Sequence, residues 1–258
     1  MKLHSIQMIA TDLDRTLLRA DKTISEYTAD VLARCRDRGI KIVFATARPK
    51  NRTEILPFMD LADFVVVSNG AAIFENDRCF AQFGIPGLAA KSTVQALHHT
   101  FPQLSMAVEY GNTAYRDRPL EDGLWEGEVR IGFEALPDTP ADKIVIHAGS
   151  EEFSMVQPLL PEDCYAQLCE NRLILIMHKS AAKWNAIKHI AQRCQIPIAD
   201  VAAFGDDYND VEMLQNCGTG IAVANGLKEA RTAADFLCES NENDGPARWI
   251  NEHVLCAR

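Results

Sequence analysis

The 258-residue sequence has no run of about 20 apolar residues, which is the length that a helix needs to cross a bilayer. Residues 1–9 do not resemble a signal peptide, because their apolar run is short, lacks a small-residue cleavage site and is soon followed by Asp12. We therefore expect neither a membrane span nor a secretory leader.

Closely spaced cysteine pairs are also absent. The chain has eight cysteines, and none of them forms a Cys-x-x-Cys pair. Cys35, Cys194 and Cys217 fall within helix-like patterns, where a cysteine usually behaves as a small buried hydrophobic residue. Scattered cysteines of this kind predict reduced thiols and a cytoplasmic location.

Positive charge is in deficit, with 26 Lys and Arg against 36 Asp and Glu and a formal net charge of −10. Such a surface repels phosphate backbones, so we expect no nucleic-acid partner. A small anionic substrate would need a local positive site. With 47% hydrophobic and 24% charged residues, the composition is that of a globular chain and excludes intrinsic disorder.

Short apolar runs alternate with helix-like segments in the first and last parts of the chain. The sequence has no internal repeat. This alternation predicts an α/β fold with a parallel sheet. The strands are predicted at 7–11, 40–45, 64–67, 201–204 and 220–223, and the helices at 27–38, 51–59, 181–194, 210–216, 226–234 and 246–254.

The middle of the chain has a different pattern, with one helix-like stretch at 89–101, period-2 segments at 106–110 and 129–133, and further strand candidates at 143–147 and 173–178. It predicts a separate α+β module. We therefore expect a discontinuous core, residues 1–83 and 180–258, with residues 84–179 inserted between its halves.

Two acidic loops directly follow predicted strands, and ligands of parallel sheets bind at the carboxyl ends of strands. The first is Asp12-Leu13-Asp14-Arg15-Thr16, in which alternation would turn both carboxylates toward one pocket. A cation or a shared proton would then be needed to offset their repulsion. The alternative is an Asx turn that begins a helix.

The second acidic loop is Gly205-Asp206-Asp207-Tyr208-Asn209-Asp210. It contains three carboxylates within five residues. Carboxylate oxygens are the ligands that Mg²⁺ prefers, so this loop is a candidate metal site. The alternative is an acidic helix start, because Asp and Asn favour N-caps and first turns.

Two further residues lie at strand–helix junctions of the same predicted sheet edge. Thr46 ends the second strand, where a hydroxyl and a nearby N–H could bind a phosphoryl oxygen, although a helix N-cap is the simpler interpretation. Lys183 opens a helix, where most lysines are solvated surface residues.

This ordered set resembles the haloacid dehalogenase-like hydrolases. The Asn69-Gly70-Ala71 turn, the position of the insert before Lys183 and the tail segment Asp244-Gly245-Pro246-Ala247 are similar to those of Cof-type phosphatases, which carry a large α/β cap. The resemblance covers residues 1–83 and 180–258. It implies a Rossmann-like parallel core with an inserted α+β cap that sets substrate specificity.

The resemblance implies a role for each matching residue. Asp12 would be the nucleophile and Asp14 the general acid and base. Mg²⁺ would be held by Asp12, Asp206 and the backbone carbonyl of Asp14. Phosphate binding is implied for Leu13, Thr16, Thr46, Ala47, Lys183 and Asn209, and supporting roles for Arg15, Asn69, Gly70, Asp207 and Asp210, the last of which would orient Lys183 or a metal-bound water.

The sequence departs from the family pattern at Arg15, Ala47 and Trp184, each of which stands where glycine is customary. No reacting group is lost. The implied function is a Mg²⁺-dependent phosphatase acting on a sugar phosphate or phosphorylated cofactor. A phosphotransferase or mutase on the same chemistry and a non-catalytic phosphometabolite sensor remain alternatives. The oligomeric state and the substrate are not predicted.

Overall fold

The computed structural model describes residues 5–118, 128–169 and 171–256. They form two compact units. The first contains the chain up to residue 48, residues 52–80 and the chain from residue 182 onward, and the second contains residues 49–51 and 81–181.

The strands, in chain order, are β1 Met8–Thr11, β2 Lys41–Ala45, β3 Phe64–Val67, β4 Ala72–Glu75, β5 Arg78–Gln82, β6 Ser105–Tyr110, β7 Thr113–Arg116, β8 Glu128–Arg130, β9 Lys143–His147, β10 Cys164–Cys169, β11 Leu173–His178, β12 Val201–Gly205, β13 Thr219–Val223 and β14 Phe236–Cys238. The helices are α1 Glu26–Asp37, α2 Lys50–Glu54, α3 Gly87–Thr100, α4 Ser150–Val156, α5 Lys183–Arg193, α6 Val211–Asn216, α7 Lys228–Ala233 and α8 Gly245–Ile250. None of these helices is both long and apolar enough to span a membrane.

The first unit is built on a sheet with the strand order β14-β13-β12-β1-β2-β3-β4-β5. Pairing is parallel from β14 to β3, and β4 runs antiparallel to β3. The central strands β1, β12 and β13 are buried along their whole length, as expected of largely apolar strands that are covered on both faces. The predicted α/β class with a parallel core is confirmed.

In helix α1, the spacing of apolar residues in the sequence matches the face that is buried in the structure. Its residues Val31, Leu32 and Cys35 recur at helical spacing and are fully buried in the core beside β2. The predicted N-cap is confirmed, because the Ser25 hydroxyl accepts a hydrogen bond from the Thr28 N–H at 3.0 Å.

The prediction of one helix over 51–59 is wrong. Helix α2 ends at Glu54, and a separate 3₁₀ turn covers Met59–Leu61. Pro57 explains the break, because it has no N–H to donate and disfavours helical backbone in the residue before it.

The second unit contains a sheet with the strand order β10-β11-β9-β6-β7-β8, antiparallel except for β7–β8. One sheet face packs on α3, with Val94 and Leu97 of the helix and Ile144 and Ile146 of β9 in a common core. The strands predicted at 143–147 and 173–178 are confirmed as β9 and β11. Strands β7 and β10 and helix α4 were not predicted, because their sequences lack clear apolar periodicity.

Candidate active site

The first acidic loop is a tight turn that begins where β1 ends. The Asp12 N–H donates to the Phe204 carbonyl of the neighbouring strand β12 at 3.0 Å. The Leu13 carbonyl then accepts from the N–H groups of Leu17, at 3.1 Å, and Leu18, at 2.8 Å. The Leu13 side chain is buried in the core, so only the main chain of this residue is available to a ligand.

The second acidic loop lies beside the first because β12 is the parallel neighbour of β1. It is folded around Asp210, whose Oδ2 accepts the N–H groups of Asp206 at 2.9 Å and Asp207 at 3.1 Å. A Cβ on Gly205 would lie 2.4 Å from the Asp210 Cβ, so this packing requires glycine. The Asp207 carboxylate is exposed and instead accepts from the Tyr208 N–H.

Lys183, the first residue of α5, lies between the two acidic loops. Its Nζ is 2.6 Å from Asp12 Oδ1 and 2.7 Å from Asp210 Oδ1, and its side chain is 0% exposed. Burial by itself lowers the pKa of this amine, but the charges of Asp12 and Asp210 raise it above its usual value. Lys183 is therefore a buried cation between Asp12 and Asp210. Asp210 contacts Lys183, and its expected role of orienting Lys183 or a metal-bound water stays a prediction.

Asp12, Asp206 and Asp210 each offer a carboxylate oxygen within 4.8 Å of the others, and all three are buried. Thr16 Oγ1 donates to Asp206 Oδ1 at 2.8 Å. Burial raises the pKa of Asp12 to about 8, against the opposing charge of Lys183, and raises that of Asp206 to about 6. The neighbouring carboxylates of Asp210 and Asp206 add to the rise in the pKa of Asp12.

These residues fit a divalent cation. Carboxylate oxygens are the ligands that Mg²⁺ prefers, and a cation would favour the ionised forms of Asp12 and Asp206, whose pKa values are raised by burial and, to a smaller extent, by neighbouring carboxylates. Asp210 is already occupied, with one oxygen on Lys183 and the other on two backbone N–H groups. Asp12 and Asp206 are the members of the cluster that remain for a metal.

The Asp14 carboxylate has different partners from Asp12. Arg48 donates to both of its oxygens, Nε to Oδ2 at 2.6 Å and Nη2 to Oδ1 at 2.6 Å. Lys22 Nζ adds a third contact at 2.7 Å. Partial burial opposes ionisation, but these cations lower the pKa of Asp14 to about 2. Asp14 is thus held in its ionised form.

The loops after β2 and β3 bring the remaining predicted residues together. The Asn69 N–H donates to the Thr46 carbonyl at 3.0 Å, and the Asn209 Nδ2 donates to Asn69 Oδ1 at 2.8 Å. Asn69 is left-handed, with a φ of 58°, and a Cβ on Gly70 would lie 2.4 Å from the Ala182 carbonyl oxygen. Gly70 thus allows this turn to approach the start of α5 and Lys183.

Thr46 Oγ1 accepts a hydrogen bond from the Arg48 N–H at 3.1 Å. Because the hydroxyl oxygen is the acceptor in this contact, its hydrogen remains available to a ligand. Ala47 is exposed and lies outside the positive-φ region, so its methyl group is tolerated where the family has glycine. Trp184 is half-buried.

Sequence reasoning missed Arg48 and Lys22. Arg48 lies two residues after Thr46 and could have been suspected from that position. Lys22 lies in a polar stretch with no distinguishing pattern. Its backbone is left-handed, with a φ of 67°, and its Nζ is 2.7 Å from Asp14 Oδ1.

Comparison with known families decides what this site belongs to. The sequence profile of the haloacid dehalogenase-like hydrolases matches residues 9–250. The chain belongs to the haloacid dehalogenase-like hydrolase family. The resemblance drawn from the acidic loops is thereby confirmed, and the chain is a hydrolase of this family.

Relatives of this haloacid dehalogenase-like hydrolase include named phosphatases. The 5-amino-6-(5-phospho-D-ribitylamino)uracil phosphatase YitU of Bacillus subtilis (strain 168) is 28% identical over 262 residues, which cover 95% of this chain and 97% of that protein.

Solved structures share the fold. BT1666, a phosphatase of the same superfamily from Bacteroides thetaiotaomicron, has a TM-score of 0.83 at 22% identity, covering 96% of this chain and 95% of that one. The subclass IIB sugar phosphatase BT4131 has a TM-score of 0.79 at 22% identity, covering 95% and 98%.

Proposed function

We propose that this protein is a Mg²⁺-dependent phosphatase that hydrolyses a small phosphorylated metabolite through an aspartyl-phosphate on Asp12. The observation that carries the proposal is the buried Lys183 between Asp12 and Asp210, with Asp206 in the same carboxylate cluster. A buried nucleophile held by a fixed cation suits phosphoryl transfer, in which negative charge spreads over three equatorial oxygens.

Mg²⁺ would be held by Asp12, Asp206 and the backbone carbonyl of Asp14, and when bound it would supply charge neutralisation for the transferring phosphoryl group. Lys183, whose Nζ lies beside Asp12, binds a phosphoryl oxygen. Thr46, together with main-chain N–H groups of Leu13 and Ala47, offers donors to the other oxygens. Thr16 holds Asp206 in place through its 2.8 Å hydrogen bond.

In the first half-reaction an Asp12 oxygen bonds to phosphorus, the bond to the leaving oxygen breaks, and Asp14 gives that oxygen a proton. In the second, Asp14 takes a proton from water as the water oxygen attacks phosphorus and frees Asp12. The arrangement with Arg48 suits the second half-reaction, because it holds Asp14 ionised. To deliver a proton, the Asp14 carboxyl has to leave Arg48.

For the substrate class, we propose a sugar phosphate or a phosphorylated cofactor precursor. The substrate in the name of YitU and the sugar phosphatase BT4131 support this class. We also propose that the inserted segment, residues 84–179, acts as the cap that sets specificity. The net charge of −10 supports a small-molecule partner rather than a nucleic acid, and the eight free cysteines support a reducing, cytoplasmic location.

The test is hydrolysis of p-nitrophenyl phosphate with Mg²⁺ and with EDTA, comparing the wild type with Asp12→Asn. We expect metal-dependent release by the wild type and a loss of more than about 1,000-fold in the variant, as for other covalent nucleophiles. Acid-quenched wild type should carry protein-bound phosphate. Equal, metal-independent release by both proteins would contradict the proposal.

A panel of phosphorylated sugars and cofactor precursors then identifies the substrate. Phosphate transfer to an added sugar, rather than to water, would indicate a phosphotransferase or mutase. Binding of a panel member without turnover would indicate a sensor.

A further inference from the structure

Arg15 adopts a backbone conformation that favours glycine. Its φ is 64°, in the left-handed region, and its carbonyl oxygen accepts a hydrogen bond from Asn225 Nδ2 at 2.7 Å. Non-glycine residues in this region are uncommon and cluster at functional sites. Glycine would fit this turn without strain, so the arginine side chain has to be explained by what it does.

The Arg15 side chain lies beside a candidate metal ligand. Its Nε is 3.8 Å from Asp206 Oδ2, the oxygen that the Thr16 hydroxyl leaves unoccupied. The Asp206 side chain is 3% exposed, whereas that of Arg15 is 61% exposed. The guanidinium therefore stands on the solvent side of a buried carboxylate, where it reduces the negative charge of the cluster.

We infer that Arg15 is a resident counter-charge that lowers the affinity of this site for Mg²⁺. The inference rests on the proposed function, in which Asp206 holds the metal. A guanidinium that attracts the Asp206 carboxylate repels a divalent cation bound by the same carboxylate. The neighbouring charges are already committed, since Lys183 pairs with Asp12 and Asp210. Arg15 is the cation at Asp206 whose charge can be removed without disturbing the nucleophile.

The experiment measures Mg²⁺ binding by isothermal titration calorimetry, without substrate, for the wild type, Arg15→Gln, Arg15→Gly and Arg15→Lys. We expect Arg15→Gln and Arg15→Gly to lower the Kd for Mg²⁺ about three- to tenfold, the range for one exposed charge acting on a divalent ion. Arg15→Lys should bind as the wild type does. The gain should shrink at high KCl, because salt screens exposed charges.

Arg15→Gln removes the charge but keeps a side chain on the left-handed backbone, whereas Arg15→Gly removes both the charge and the backbone strain. The control is Arg193→Gln, which removes a half-exposed arginine that pairs with Glu75 at 2.7 Å elsewhere in the same unit. Circular dichroism establishes that each variant is folded.

A wild-type Kd in Arg15→Gln would overturn the inference while leaving the proposed function intact. A gain in Arg15→Gly alone would also overturn it, since backbone strain and not charge would then be the cause. If the wild type binds no more Mg²⁺ than Asp206→Asn does, the proposed metal site itself is wrong, and the inference falls with it.

Discussion

Arg48 holds the Asp14 carboxylate by both of its oxygens, with Nε and Nη2 each 2.6 Å from one of them. This two-point contact joins the loop after β2 to the loop after β1, whose strands are parallel neighbours. A planar guanidinium fits a carboxylate in one orientation, so the pair fixes the direction of the carboxyl group as well as its charge. Arg48 is thereby a positioning residue for the proposed acid and base.

The first prediction concerns the base of the second half-reaction. Replacing Arg48 by Met should slow release of phosphate from the aspartyl-phosphate about 100-fold, because Asp14 loses the contact that fixes the direction of its ionised carboxylate. Every substrate forms the same aspartyl-phosphate, so kcat for an alkyl phosphate and for 2,4-dinitrophenyl phosphate should fall to similar extents. The measurements are kcat for both substrates and the protein-bound phosphate after acid quenching.

Asp14→Asn should lose more on the alkyl phosphate, because it removes the acid as well as the base, and the double variant should lose little more than Asp14→Asn alone, since residues that act as a unit are not additive. Arg48→Lys should recover part of the rate. A loss in Arg48→Met without accumulation of protein-bound phosphate would contradict this role of Arg48.

The second prediction concerns the buried cation. Replacing Lys183 by Met leaves two buried carboxylates without their partner, and we expect the free energy of unfolding to fall by about 3–5 kcal/mol. Phosphatase activity should also be lost. Urea unfolding and the p-nitrophenyl phosphate assay measure the two effects.

Adding Asp210→Asn to this variant should return part of the stability without any activity. If the double variant is no more stable than Lys183→Met alone, Asp210 is not the uncompensated charge.

The third prediction concerns the turn that approaches α5. Gly70→Ala would place a Cβ 2.4 Å from the Ala182 carbonyl oxygen, at a φ of 105° that alanine rarely adopts. We expect a loss of more than about 3 kcal/mol in urea unfolding, from overpacking and backbone strain together.

Gly39→Ala is the matched control in the same unit. Gly39 has a φ of 79° but nothing within 4 Å of the added Cβ, so it should lose only about 1 kcal/mol, from backbone strain alone. Equal losses at the two glycines would mean that Ala182 can move aside.

The fourth prediction concerns pH and stability in the second unit. Burial raises the pKa of Asp142 from 3.8 to about 6, although the Gly111 N–H donates to it at 2.9 Å. Because the folded protein binds this proton more tightly than the unfolded chain, its contribution to stability is present below pH 4 and is lost as the pH rises to about 6.

Asp142→Asn retains an oxygen for the Gly111 N–H and cannot ionise. Relative to the wild type it should gain at most about 3 kcal/mol at pH 7.5, and much less at pH 4.5, in urea unfolding. Asp138→Asn, whose replaced side chain is 81% exposed, is the control and should follow the wild type. A gain in Asp142→Asn that is the same at both pH values would contradict the assignment.

The parts of the fold that the sequence predicted share one property, which is a local pattern strong enough to act alone. The apolar runs of β1, β12 and β13 are buried on both faces, and α1 has regular helical spacing with a hydroxyl cap. Strands β7 and β10 have no such pattern. Their place in the sheet depends on pairing with β6 and β11, which are not adjacent residues of a local pattern but partners across the sheet.

The sequence by itself determined which residue types stand at the ends of the parallel strands, since acidic loops after buried apolar runs can be recognised locally. Only the tertiary structure decided which charges meet. Lys183 is 171 residues from Asp12 and touches it, and Arg48 is 34 residues from Asp14 and holds it. Partners so distant are set by strand order and loop conformation, and the pKa of each carboxyl follows from the burial and charges that this packing creates.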